Sequence, residues 1–345
     1  MKQTFLIAVA TLVSLSALAQ FQGDKEPFLT KTFKESFSST KVQTSGGNIS
    51  VTGSDAGEAR VEVYITTNNG KNKLSKEEIQ QRLNEMYDLD IAVRDNKLVA
   101  TAKSKERIRD WKKALNIGFK LWVPKNTANE LSTSGGNIDL SDLTGNQNFS
   151  TSGGNLDISN LTGKTKGRTS GGNIDVKNSK NDIDLSTSGG NIDAINCEGK
   201  ILLSTSGGNL DLKELTGNIR ATTSGGNVDG SDIGGELFTQ TSGGNVRLDD
   251  LACSVETSTS GGHIRVSVKE FGKYVTISNS GGNVDLSLPK GKGADLNMEA
   301  DKIKTDHLES FSGKIKDDEI DGKLNGGGVP VKVRAGSGHI SLALR

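Results

Sequence analysis

The sequence predicts an all-β chain, a β-solenoid of stacked 18-residue coils that is β-helix-like, with a small helical insertion near the N-terminus. Three observations lead there. A five-residue motif, Thr-Ser-Gly-Gly-Asn with His in the last regular copy, recurs with its serine at Ser134, Ser152, Ser170, Ser188, Ser206, Ser224, Ser242 and Ser260, each 18 residues after the one before. A fixed period of this length marks a solenoid before any secondary structure is assigned. Behind each motif, apolar residues alternate with polar ones, as at Ile138, Asp139 and Leu140, which is the pattern of a strand with one face inward. Only 32% of the chain is hydrophobic while glycine occurs 43 times, so a thin repetitive interior fits better than a thick globular core.

The N-terminus comes first. Lys2 and an apolar stretch from Phe5 to Leu18 precede Ala17-Leu18-Ala19, the signature of a secretory signal peptide over residues 1–19, cleaved after about Ala19. No later run reaches the ~20 apolar residues of a transmembrane helix, so the expected location is exported, in the periplasm or at the cell surface. Residues 20–130 read as an early coil, headed by Ser45, followed by a cap or insertion. Within it Val61, Val63 and Ile65 alternate as a strand. Ser75-Lys76-Glu77-Glu78 then opens a helix as a capping box, with Ile79, Leu83 and Met86 on one face. Strands resume at residues 90–93 and 97–100 around Asp95-Asn96, a basic stretch holds Trp111, and residues 119–124 lead into the array.

Residues 131–288 form the regular array. Each coil holds at least two strands, joined by the Gly-Gly corner and by a second turn near Gly145, Gly163, Gly199, Gly217 and Gly235. The constant threonines, Thr133 to Thr259, share the parity of the inward residues and should stack hydroxyl on hydroxyl. The corner residues Gly135, Gly136, Asn137, Gly153, Gly154, Asn155, Gly171, Gly172 and Asn173 are given a structural role. The glycines supply backbone angles closed to other residues, and the asparagines form a ladder along the axis. Residues 289–345 keep strand character but lose the period, and residues 336–340 resemble a degenerate last copy.

The early Gly-Gly-Asn-Ile-Ser-Val coil, the Leu-Trp-Val-Pro-Lys lead-in, the serial Thr-Ser-Gly-Gly-Asn units and the terminal Gly-His-Ile-Ser-Leu resemble the bacterial putative-adhesin family of the DUF4097 type. They are also similar to the head-domain adhesin-like proteins of Bacteroidetes. The resemblance implies a β-helix-like fold and an envelope or surface location. It supplies no catalytic residues, and the helical insert and Trp111 region depart from the plainest members.

For a site, the strongest feature is a column of carboxylates at Asp139, Asp157, Asp175, Asp193, Asp211 and Asp229. At ~4.8 Å spacing such a row could share Ca²⁺, or it could serve as a solvated face that resists aggregation. The calcium-binding Gly-Gly-x-Gly-x-Asp repeat is absent, and Arg247 and Arg265 interrupt the column. His263, His307 and His339 lie too far apart for one zinc, and no nucleophile elbow or dinucleotide fingerprint occurs, so neither metal nor cofactor is expected. Lys plus Arg equals Asp plus Glu at 42 each, which gives no reason to expect nucleic acid as a partner. Cys197 and Cys253 fall three coils apart, ~14 Å by coil spacing, and should be free thiols. The leading functional expectation is a non-enzymatic envelope or surface protein holding a glycan or an envelope or surface protein. The alternative is a polysaccharide-active lyase or glycosidase.

Overall fold

The computed structural model describes residues 26–67, 74–106 and 112–345. The segment expected to be a signal peptide and the Trp111 region lie outside the described residues. The repeat is visible in the strand register. Ile183 faces Ile201 and Ile192 faces Leu210, each 18 residues on, and every pairing within the array is parallel. One coil shows how the sequence closes. The strand Lys180–Ser186 turns at the Thr187-Ser188-Gly189-Gly190-Asn191 corner into the strand Ile192–Ile195. Inward residues of successive coils make continuous columns, for example Ile174, Ile192, Leu210, Val228 and Val246, all at most 1% exposed. Each such buried aliphatic side chain contributes about 1.5–3 kcal/mol, which is how a narrow interior holds a long molecule.

The return from the second strand needs two bends where the sequence suggested one. Asp142, Asn160, Asn178, Asn196, Glu214 and Asp232 take φ between +51° and +59°. Asn and Asp tolerate this left-handed conformation best among non-glycine residues. The bend turns Leu143, Leu161, Ser179, Cys197, Leu215 and Ile233 into the interior. Gly145, Gly163, Gly199, Gly217 and Gly235 then make the further bend at φ +96° to +126°, with Asn181 at +82° in a coil lacking glycine there, while Cys253 holds the position within the long strand Val246–Thr259.

The Gly-Gly corner works differently from the expectation. None of its glycines lies in the left-handed region, so unusual backbone angles are not the reason for them. The reason is the coil beneath. A Cβ on Gly154 would sit 1.9 Å from the Gly136 carbonyl oxygen, and one on Gly190 would sit 2.0 Å from that of Gly172. The first glycine of each pair is far less confined, with nothing nearer than 3.7 Å to a Cβ on Gly153 or Gly189.

The threonines do point inward, but their hydroxyls do not stack on one another. Thr205 Oγ1 donates to Gly190 O of the preceding coil at 2.8 Å and accepts from the Gly208 N–H of its own coil at 3.2 Å. The same pair of bonds recurs from Thr133 to Thr259. The asparagines form the expected ladder, with backbone rungs: Asn191 N–H donates to Asn173 Oδ1 at 2.9 Å, and Asn209 N–H to Asn191 Oδ1 at 2.8 Å.

Both ends are closed by a coil taken out of chain order. The early coil, Ser39–Gln43 with Ile49–Ser54, lies between the strands Lys97–Ser104 and Leu115–Pro124 on one side and the regular array on the other. Antiparallel strands Ala59–Thr67 and Tyr87–Arg94 cover that outer coil, and Leu29–Phe33 adds to Ala59–Thr67. The helix Lys76–Met86 carries the expected capping box and buries Leu83. At the other end, the final strands Val329–Ala335 and His339–Leu344 are enclosed by Ala294–Glu299 and Lys302–Thr305. The degenerate copy is in register, since His339 N–H donates to Asn283 Oδ1 at 2.9 Å.

The interior is not wholly apolar. In the first coils Thr40 Oγ1 donates to Asn129 Oδ1 at 2.5 Å, and Asn129 Nδ2 donates to Gln147 Oε1 at 2.6 Å. These residues occupy the column that later holds Ile183 and Ile201. Their mutual bonds offset the cost of burying polar groups. Cys197 and Cys253 are buried free thiols, as expected.

Candidate functional site

The carboxylate column occupies one face of the array. Strand register brings Asp139, Asp157, Asp175, Asp193, Asp211 and Asp229 side by side, one per coil. The row continues as Arg247, Arg265 and Asp285, and at its other end runs through Ser50 to Lys120. All point outward, yet the column is less solvated than the sequence suggested. Asp139, Asp157, Asp175 and Asp193 are half-buried, and only Asp211 and Asp229 are exposed.

Burial and like charge act together on these groups. Burial first, then the charge and hydrogen bond of Asp157, push Asp139 up to about 7, against the pull of Lys120. Burial first, then Asp211 and Asp175, push Asp193 up to about 6. Asp157 and Asp229 are also raised, again mainly by burial. Charges packed at strand spacing avoid full ionisation by sharing protons.

Two residues further along each strand lies a second outward column that the sequence reading passed over: Ser141, Ser159, Lys177, Ile195, Lys213, Ser231 and Asp249. Period-2 alternation from each Asp was the signal that could have found it. Between the columns runs an open groove of about 490 Å³, lined by Asp193, Asp211 and Asp229 together with Lys177, Lys213 and Arg247. Arg247 Nε pairs with Asp249 at 2.8 Å. His263 Nε2 lies 3.0 Å and Arg265 3.6 Å from Asp285. Where the face meets the cap, the Trp122 ring has the Arg60 guanidinium 3.8 Å and the Lys120 ammonium 4.8 Å from its centroid. Chemically the face offers repeated hydrogen-bond acceptors and cationic donors in ranks along the axis. Among the described residues no three His, Cys, Asp or Glu side chains converge as a metal site would require.

The sequence of these coils matches a family model, Toastrack DUF4097, over residues 177–343. That region of the chain is similar to the DUF4097 family. The DUF4097 match therefore takes in the C-terminal half of the carboxylate column and the interleaved terminal coils. Among solved structures the chain is similar to a protein of Clostridium sporogenes described as a "putative cell adhesion protein", at 11% identity and TM-score 0.18, covering 93% of this chain and 100% of that one. It is similar to a "putative adhesin" of Bacteroides fragilis at 14% identity and TM-score 0.25, covering 93% and 98%. A "putative adhesin" of Parabacteroides distasonis is similar at 12% identity and TM-score 0.31, covering 92% and 96%. No curated protein sequence matches the chain. No helix among the described residues is long and apolar enough to cross a membrane.

Proposed function

We propose that this chain is an exported, non-enzymatic envelope or cell-surface protein of the adhesin kind, which holds an envelope glycan along its acidic and basic groove. One observation carries this reading: the groove is built from the same positions repeated in register, Asp193 beside Asp211 beside Asp229, with Lys177 and Lys213 alongside. Repetition supplies many equivalent weak contacts, whose combined strength grows with the length of a polymeric ligand. Catalysis asks for the opposite, one differentiated acid and base pair in a site that excludes water. The leader sequence supports export, and the even charge balance gives nucleic acid no advantage.

The test is co-sedimentation of the purified protein with insoluble envelope polymers and with a panel of soluble glycans. The expected result is binding without cleavage, weakened by tenfold or more when Lys177, Lys213 and Asp193 are replaced together by Ala, Ala and Asn. Depolymerisation of any of these glycans by the unaltered protein, lost in Asp193→Ala, would establish the lyase or glycosidase reading instead.

A further inference from the structure

The last hairpin of the molecule leaves one strand edge open. Phe311–Ile315 pairs antiparallel with Glu319–Leu324 on one side, and among the described residues nothing pairs with its other side. Ser312, Gly313, Lys314 and Ile315 are exposed, and Ile315, at 51%, is the most exposed large hydrophobic side chain described. The opposite end of the molecule is finished differently, since Lys31 Nζ of its outer strand reaches across to Ile91 O at 3.0 Å. An open edge presents unsatisfied N–H and C=O groups as a template for another strand.

The direction of those groups follows from the bonds on the paired side. Asn325 N–H donates to Ser310 O at 2.9 Å, and Lys316 N–H donates to Glu319 O at 2.8 Å. Even-numbered residues therefore turn their backbone groups toward the hairpin partner, and Phe311, Gly313 and Ile315 turn theirs outward. The sequence Phe-Ser-Gly-Lys-Ile is self-complementary about its centre. With a two-fold axis at Gly313, an antiparallel second copy sets Phe311 opposite Ile315, Gly313 opposite itself and Ser312 opposite Lys314. All the outward groups are then used, two bonds from each of three facing pairs. The exposed Ile315 meets an aromatic ring, a favoured cross-strand pair. No like charges meet, and Lys314 is already offset by Glu319 at 2.7 Å.

We infer that this edge is a homodimerisation surface, joining two copies of the chain two-fold symmetrically through Phe311–Ile315. A five-residue strand buries little area, so the dimer is weak and concentration-dependent. Pairing places two grooves on one particle, and the dimer itself does not depend on what those grooves bind.

Sedimentation equilibrium of the purified full chain across a wide concentration range tests this. A monomer–dimer equilibrium is expected. Ser312→Lys would face Lys314 of the second copy twice by symmetry, and Ser312→Glu would face it with opposite charge. The first substitution should raise and the second lower the dissociation constant, each by about two- to thirty-fold. Both sit at an exposed position, so unchanged melting temperatures would show that the fold is intact. A chain that stays monomeric at the highest concentration overturns the inference, as does a dimer indifferent to both substitutions.

Discussion

Gly190→Ala should cost the array on the order of 3–5 kcal/mol, while Gly189→Ala, one residue earlier in the same corner, should cost less than about 1 kcal/mol. The two glycines look alike in sequence but not in their surroundings. A Cβ on Gly190 would lie 2.0 Å from Gly172 O and 2.5 Å from Gly172 C, both backbone atoms of the coil beneath. Backbone cannot swing aside as a side chain can, so relief requires prising the coils apart. That motion also breaks the Thr187 bond to Gly172 O and the Asn191 bond to Asn173. Around Gly189 the nearest atoms are Ser170 O at 3.7 Å and Gly171 O at 3.9 Å, ordinary contact distances. Urea midpoints of the two variants decide the matter. Equal losses at both positions would mean that the corner is limited by backbone conformation and not by coil-on-coil approach.

The second large effect is on pH dependence. A carboxyl whose folded pKa is raised binds more protons in the native state than in the unfolded chain, so native stability falls as pH rises between the two values. For Asp139, at about 7 when folded and about 4 when unfolded, the loss accrues from about pH 4 to pH 7. Asp193, at about 6, adds to it over the lower part of that window. Glu319, held below its ordinary value by Lys314 and Lys316, acts oppositely and loses its contribution as the solution becomes acidic, but its ion pairs lie at the solvent-screened surface and weigh little. The protein should therefore be more stable at pH 5 than at pH 8, by on the order of 2 kcal/mol after allowance for solvent screening. Asp139→Asn keeps the shape and removes the charge, so it should flatten the profile between pH 5 and pH 8 and raise stability at pH 8. Chemical denaturation at both pH values measures this. Greater stability of the unaltered protein at pH 8, or a variant as steep as the parent, would show that the column ionises freely.

Much of the architecture was legible because the same solution is written many times over. The 18-residue spacing, the inward parity of Thr205 and Ile192, and the capping box at Ser75 and Glu78 each rest on local rules that the fold obeys. Reasons were harder to read than positions. That Gly190 is needed for the backbone of Gly172, and that Thr205 bonds to a carbonyl instead of another hydroxyl, depends on atoms 15 to 18 residues away in sequence. The bend at Asn196 escaped notice because its column mixes Asn, Asp and Glu, which share a conformation but no single letter. The exchanged order of the terminal coils has no local signature, since Thr40 lies next to both Leu98 and Asn129. At the site, the Asp column was found because one residue type repeats, and the Lys177 and Lys213 column was missed because serine and isoleucine interrupt it. The half-burial of Asp139 and Asp193, which sets their protonation, comes from packing between neighbouring coils and not from the alternation pattern.

The stacking of coils can be measured directly with pairs of nitroxide labels on introduced cysteines along one outward column. Asn148, Asp184, Arg220 and Glu256 share such a column, and the native Cys197 and Cys253 are buried. With one label fixed at Asn148, the distance to the second should grow linearly, by ~4.8 Å for every 18 residues, to ~29 Å between attachment sites at Glu256. Distances that level off, or that fail to order with residue number, would contradict the stacked-coil architecture and the shared faces that depend on it.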